Sequence, residues 1–158
     1  MTPVKTFSSS PVSICVSEML VFKRGNLFEA TCSLGHCVSQ DLRMSRGIAR
    51  QFRERFGRIP ELLCQRARVG EIAVLQHDHR FLYYLVTKKK FYQKPTLYTV
   101  RSSLLAMREH MIAHGVQTAA LPRVATGLDR VPWLEIKREL EEIFELAPLT
   151  VVVYVWED

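Results

Sequence analysis

The segment Leu149–Trp156 is an almost unbroken apolar run in which Thr150 is the one polar residue. A strand covered on one face alternates apolar with polar side chains. A strand this uniformly apolar is covered on both faces. The chain must therefore supply layers above and below a sheet, and its remaining periodicities predict them. Ile14–Phe22 reads as a strand followed by a Gly25-Asn26 turn, and Ala30–Val38 as a second strand. Ile48, Phe52 and Phe56 fall at helical spacing before Gly57. Pro60 opens a short helix through Leu62, Leu63 and Ala67. Glu71–His77 and Arg80–Thr87 form strands joined at Asp78-His79. Pro95-Thr96 opens the longest helix, with Val100, Leu104, Met107, Met111 and Ile112 on its buried face and Gly115 at its end. Thr118–Val124 is a strand with Pro122 near its terminus. Pro132 starts a helix through Leu134, Lys137, Leu140 and Phe144.

The expected order is thus β-β-α-α-β-β-α-β-α-β. It describes an α/β three-layer sandwich (α/β/α) around a mixed sheet of roughly six strands. The Glu71–Thr87 hairpin makes the sheet mixed. Met1–Pro11 is Ser/Thr/Pro-rich and reads as a tail, leaving residues 12–158 as a single domain. At 158 residues the chain is long enough to bury its own core without disulfides or a metal. No apolar run approaches the roughly 20 residues that span a bilayer, so no membrane partner is expected. Met1–Ser10 lacks the apolar core of an export signal. Cys15, Cys32, Cys37 and Cys64 have no close pairing and read as reduced thiols of an intracellular protein, cytoplasmic or nuclear, with no metal site and no cofactor.

The net charge of +6 favours anionic partners. The surplus concentrates in Arg43, Arg46, Arg50, Arg53, Arg55 and Arg58, a basic face that admits weak nucleic-acid contact or plain solvation. In α/β sheets, ligands bind at the carboxyl ends of strands. Four segments qualify: those after Phe22, Val38 and Val124, and the strand end at Thr87. The Gly35–Ala49 segment leads from a strand into a helix N-terminus, an anion site or a simple connection with a capping Ser or Asp. In Val124-Ala125-Thr126-Gly127-Leu128-Asp129-Arg130, Asp129 reads as a helix cap or an acid/base. Lys88 leads a lysine cluster directly after the strand, which reads as a solvated surface or, with Lys88 turned into the cleft, as a nucleophilic amine.

Gly25-Asn26-Leu27-Phe28, the Gly35–Ala49 segment, Phe52–Gly57, Tyr83–Lys89, Lys94-Pro95-Thr96, Leu121-Pro122-Arg123 and Gly127-Leu128-Asp129-Arg130 occur here in one order. Together they resemble the macro domain, in the branch of the terminal ADP-ribose protein glycohydrolases, from about Val21 to Tyr154. The resemblance implies ADP-ribose and mono-ADP-ribosylated proteins as partners, acting on a monomer. It implies that Lys88 attacks the anomeric carbon of the distal ribose and that Asp129 is the acid/base. It further implies that Asn26 and Leu27 face adenine and that Ser39 lies on the proximal side. Arg46, Gly47 and Ile48 flank the phosphates, and Arg123, Val124, Ala125, Thr126, Gly127 and Leu128 hold pyrophosphate and distal ribose. The implied activity is removal of mono-ADP-ribose from acidic side chains, with deacylation of O-acetyl-ADP-ribose beside it. A reader that binds ADP-ribose without turnover, a phosphatase acting on ADP-ribose 1″-phosphate and a nucleic-acid-binding module are the other readings. Three residues depart from the family pattern: Asn26 replaces an aspartate, Arg46 enters a loop of small residues, and Ala125 replaces a glycine. All three fall in the ligand cradle, so weaker ADP-ribose binding than in a typical member is expected.

Overall fold

The computed structural model describes residues 20–125 and 131–155. The expected tail at Met1–Pro11, the start of the first predicted strand, Thr126–Arg130 and Trp156 lie outside the described residues. The strands are β1 Leu20–Arg24, β2 Ser33–Ser39, β3 Ile72–His77, β4 Arg80–Lys88, β5 Thr118–Pro122 and β6 Thr150–Val155. The helices are α1 Gly47–Phe56, α2 Ile59–Cys64, α3 Leu97–Ala113 and α4 Trp133–Phe144. Their order along the chain matches the expectation, with one addition, a 3-10 turn at Leu27–Glu29.

The strands form a six-stranded sheet in the order β1-β6-β5-β2-β4-β3. Five run parallel, and β3 joins the edge antiparallel to β4. Asp78, with φ 57°, makes the tight turn between these two. The apolar run Leu149–Trp156 holds β6, an inner strand between β1 and β5. Its side chains divide as two-sided burial requires. Val151 and Val153 pack with α3 and α4, while Val152 and Tyr154 face the α1–α2 layer. β4 does the same: Tyr83 and Leu85 enter one core, Leu82, Tyr84 and Val86 the other. A strand with two apolar faces is what a three-layer sandwich requires.

α3 begins with a reciprocal cap in which Thr96 Oγ1 accepts from the Thr99 N–H at 3.1 Å. It buries Val100, Leu104, Met107 and Met111, each contributing about 1.5–3 kcal/mol of transfer free energy. Ile112 is not on that face; it is 46% exposed, because the stripe closes at Met111 and the next position turns outward. In α4 the buried set is Ile136, Leu140, Ile143 and Phe144, and Leu134 points to solvent. Leu63 is likewise exposed while Leu62 is buried. Ala30–Val38 is displaced to Ser33–Ser39: Ala30 is the C-cap of the Leu27–Glu29 turn, and the strand begins three residues later. Pro122 ends β5, as its missing N–H dictates, and Val124 lies beyond the strand.

Gly35 lets β2 pass under α3. A Cβ there would stand 2.7 Å from Leu121 Cδ2 and 3.4 Å from Met107 Sδ. On the opposite face of β2, His36 is fully buried, stacked on Phe52 with ring centroids 3.7 Å apart. Among the described residues neither of its ring nitrogens has a hydrogen-bond partner. Burial drives its pKa down to about 3. The adjacent Cys37 backbone acts in the opposite sense without offsetting burial. The imidazole is therefore neutral and packs as an aromatic ring. Among the described residues no helix is long and apolar enough to cross a membrane.

Candidate active site

Five parallel strands place five carboxyl ends along one side of the sheet, and the segments leaving four of them line a single cleft of about 1030 Å³. Read across the sheet, these are Gly25–Leu27 after β1, Arg123–Ala125 after β5, Ser39 to Ala49 around the β2–α1 connection, and Lys88 to Lys94 at β4. Neighbouring strands are about 4.8 Å apart, so four spacings put the β1 and β4 ends roughly 19 Å from each other. Asn26 and Lys88 are thus at opposite ends of an elongated cleft.

At the β1 end, Asn26 caps the 3-10 turn. Its Oδ1 accepts from the Phe28 N–H at 2.9 Å, and the Glu29 carboxylate reaches back to the Asn26 N–H at 3.4 Å. One lone pair of the amide oxygen is therefore committed, and the amide N–H groups are what Asn26 has in hand for a base. Leu27, buried beside it, and Tyr154 add apolar wall.

At the centre, no side chain caps α1. Arg46 occupies its N-cap position without a side-chain bond, and neither Ser39 nor Asp41 fills that role. The first-turn N–H groups thus face a cleft wall made by Arg46, Gly47, Ile48 and Ala49, and the helix dipole favours an anion there. Arg46 is exposed rather than folded into the core. Across from it, Val124 and Ala125 are buried cleft residues, and the Arg123 guanidinium lies 5.4 Å from the Trp133 ring centroid. Ala125 has φ 61° and Leu42 and Met44 have φ 53° and 44°. Left-handed backbone at non-glycine residues costs roughly 1–2 kcal/mol each, and of these three Met44 and Ala125 line the cleft. Thr126, Gly127, Leu128 and the proposed acid/base Asp129 lie outside the described residues.

At the β4 end, Lys88 is the last strand residue, half-buried and lining the cleft. A bulge between Val38 and Ser39 brings Ser39 opposite Lys88. Two backbone ties follow: the Gln40 N–H donates to the Lys88 carbonyl at 2.8 Å, and the Phe91 N–H donates to Asp41 Oδ2 at 3.1 Å. Asp41 Oδ1 accepts from the Ser39 hydroxyl and, at 3.2 Å, from the Arg43 N–H. These hydrogen bonds, with the charge of Lys90, outweigh its partial burial and hold the Asp41 carboxyl below its ordinary pKa. Sequence reasoning placed Ser39, Arg46, Gly47, Ile48 and Lys88 in this cleft but missed Phe91, Tyr92 and the Asp41 bracket. The available signal was two large aromatics in an otherwise polar, lysine-rich loop directly after a strand.

The basic face is largely engaged within the chain. Arg50 and Arg58 pair with Glu54 and Glu61, Arg53 donates to the Arg43 carbonyl, and Arg55 lies over the Phe28 ring.

No protein-family model matches the chain. It is 41% identical over 149 residues to ADP-ribose glycohydrolase OARD1 of Bos taurus, covering 93% of this chain and 98% of that one. Identity to the Homo sapiens protein of the same name is 42% over 137 residues, 85% of this chain and 90% of that one. Among solved structures, the macrodomain of Thermus aquaticus DarG superposes with a TM-score of 0.77 at 29% identity, covering 89% of this chain and 99% of that one. Thermosipho africanus DarTG in complex with ADP-ribose gives a TM-score of 0.80 at 15% identity over 97% of this chain and 46% of that one, a likeness of fold. With this sheet order, this cleft and relatives matched nearly end to end, the chain belongs to the macro domain family, in the branch of the terminal ADP-ribose protein glycohydrolases.

Proposed function

We propose that this chain is an ADP-ribose-binding hydrolase that removes mono-ADP-ribose from acidic side chains of proteins and also deacylates O-acetyl-ADP-ribose. The observation that carries the reading is the span of the cleft: it runs from Asn26 at the β1 end, past the uncapped α1 N-terminus, to Lys88 at the β4 end. A base at Asn26 and Leu27, a pyrophosphate at Arg46–Ile48 and Ala125, and a distal ribose near Lys88 follow in that order across the sheet. Kinship with enzymes named ADP-ribose glycohydrolase supports turnover over passive reading.

In the proposed reaction, the Lys88 amine forms a bond to the anomeric carbon as the bond to the ester oxygen breaks, and the glutamate carboxylate leaves with that electron pair. The glycosylamine opens to an imine, water adds to the imine carbon, and cleavage of the C–N bond returns the amine and free ADP-ribose. Asp129 carries protons to the ring oxygen and from water. Ser39 and Asp41 serve the protein rather than the sugar, fixing the strand end that presents Lys88. We place the protein inside the cell as a monomer: among the described residues no disulfide joins its cysteines. Nucleic-acid contact through Arg43–Arg58 is at most weak, because Arg50 and Arg58 already hold carboxylates. Calorimetry with free ADP-ribose tests the binding half: saturable one-to-one binding is expected, and no heat at millimolar ligand would overturn the reading.

A further inference from the structure

We infer that Phe91 and Tyr92 form an acceptor-side wall of the cleft, which contacts the acidic polypeptide that bears the ADP-ribose rather than the ADP-ribose itself. This rests on the proposed function of the same cleft. The loop leaves β4 at Lys88 and reaches Phe91 three residues on, at the end of the cleft opposite Asn26. A ligand with its base at Asn26 and its reacting sugar at Lys88 has only its leaving group left to meet that loop.

The loop also exposes its aromatic rings. Phe91 is 40% and Tyr92 72% exposed, so neither ring is spent on the core. Large aromatics in a cleft wall, with Lys89, Lys90 and Lys94 around them, suit an acidic chain: apolar contact from the rings and charge from the amines. The loop is held in place before it binds. The Phe91 N–H is held by Asp41, Gln93 closes the turn by donating its N–H to the Lys90 carbonyl at 3.0 Å, and its Oε1 accepts from the Lys90 N–H at 2.8 Å. Arg43 braces the Phe91 ring from 4.5 Å. A loop ordered beforehand loses little entropy when it binds.

Ring geometry favours a polypeptide over an oligonucleotide. The two rings meet at 90° with centroids 5.4 Å apart, and Arg43 already covers Phe91. They make no pair of parallel faces on which successive bases could stack.

The test compares wild type with Tyr92→Ala and Phe91→Ala/Tyr92→Ala by calorimetry. The ligands are free ADP-ribose, an acidic peptide carrying ADP-ribose through glutamine (the amide isostere of the glutamate ester), and an oligonucleotide carrying ADP-ribose. Wild type should bind the peptide conjugate about tenfold more tightly than free ADP-ribose, the scale of one interface aromatic. The double variant should lose that advantage while its Kd for ADP-ribose stays within twofold, and Tyr92→Ala alone should lose part of it. Equal wild-type affinity for peptide conjugate and ADP-ribose overturns the wall. So does an advantage for the oligonucleotide alone, an advantage that survives both variants, or an equal loss for every ligand. Failure of wild type to bind even free ADP-ribose is distinct from these: it removes the proposed function, and the wall with it.

Discussion

Lowering the pH from 7.5 to 5.0 should destabilise this fold, chiefly through His36. Its imidazole is fully buried, stacked on Phe52 and edge-on to Tyr84 at 4.9 Å. Its folded pKa lies near 3 against an ordinary value of 6.5. Between those values the unfolded chain binds the proton and the folded chain does not. Stability is therefore complete above pH 6.5 and falls as the pH drops towards 3. At pH 5 the cost is about 2 kcal/mol, from roughly 1.5 pH units at 1.36 kcal/mol each. His110 adds in the same direction, because burial and the neighbouring His114 lower its pKa too. The contribution of His36 is isolated by His36→Phe, which keeps an aromatic ring on Phe52 and removes the proton. Urea unfolding at both pH values gives four free energies. Wild type should lose about 2 kcal/mol more than His36→Phe between pH 7.5 and 5.0. Equal losses in the two proteins would refute the claim that an isolated, buried imidazole sets the acid limit.

Three further outcomes follow from named contacts. Gly35→Ala should lower the urea midpoint by the equivalent of about 1–3 kcal/mol with an unchanged slope, since its Cβ meets Leu121 at 2.7 Å. Ala125→Gly should raise the thermal midpoint by roughly 1–4 °C, because release of the left-handed strain at φ 61° exceeds the extra flexibility of glycine; calorimetric scanning that finds a decrease would contradict it. Asn26→Asp should tighten ADP-ribose binding about tenfold by titration calorimetry, because one carboxylate oxygen keeps the cap on the Phe28 N–H and the other, in place of the amide N–H groups, accepts with charge from the amino group of the base; stability should stay unchanged. An unchanged Kd there would mean that the base is held mainly by apolar contact.

The sequence made most of the architecture legible because two-sided burial leaves a plain trace. The uniform apolar run Leu149–Trp156 marks an inner strand, which β6 is. The position of Lys88 at a strand end was also legible, from the change out of an apolar run into lysines. Helix faces were less so. Ile112 and Leu134 fit an apolar stripe by spacing, yet which side of the stripe meets the sheet depends on the packing of α3 against α4, which spacing does not encode. The Asp41–Phe91 bond links residues 50 apart and leaves no local signature, so the bracket behind Lys88 was invisible. Asn26 read as a turn residue, whereas it is a cap whose amide oxygen is already in use. His36 carried no signal for burial, because a histidine on β2 is apolar in effect only when its neighbours are Phe52 and Tyr84.

The central claim is that Lys88 is the nucleophile. Its most direct measurement is the release of ADP-ribose from a glutamate-linked mono-ADP-ribosyl protein by wild type and by Lys88→Ala, with cyanoborohydride added to reduce any imine and peptide mass spectrometry to locate it. The account predicts steady release by wild type, an ADP-ribose-derived adduct on Lys88 after reduction, and a loss of turnover by at least about 10²-fold in Lys88→Ala with no adduct. Undiminished release by Lys88→Ala, or a reduced adduct on another lysine, would contradict it.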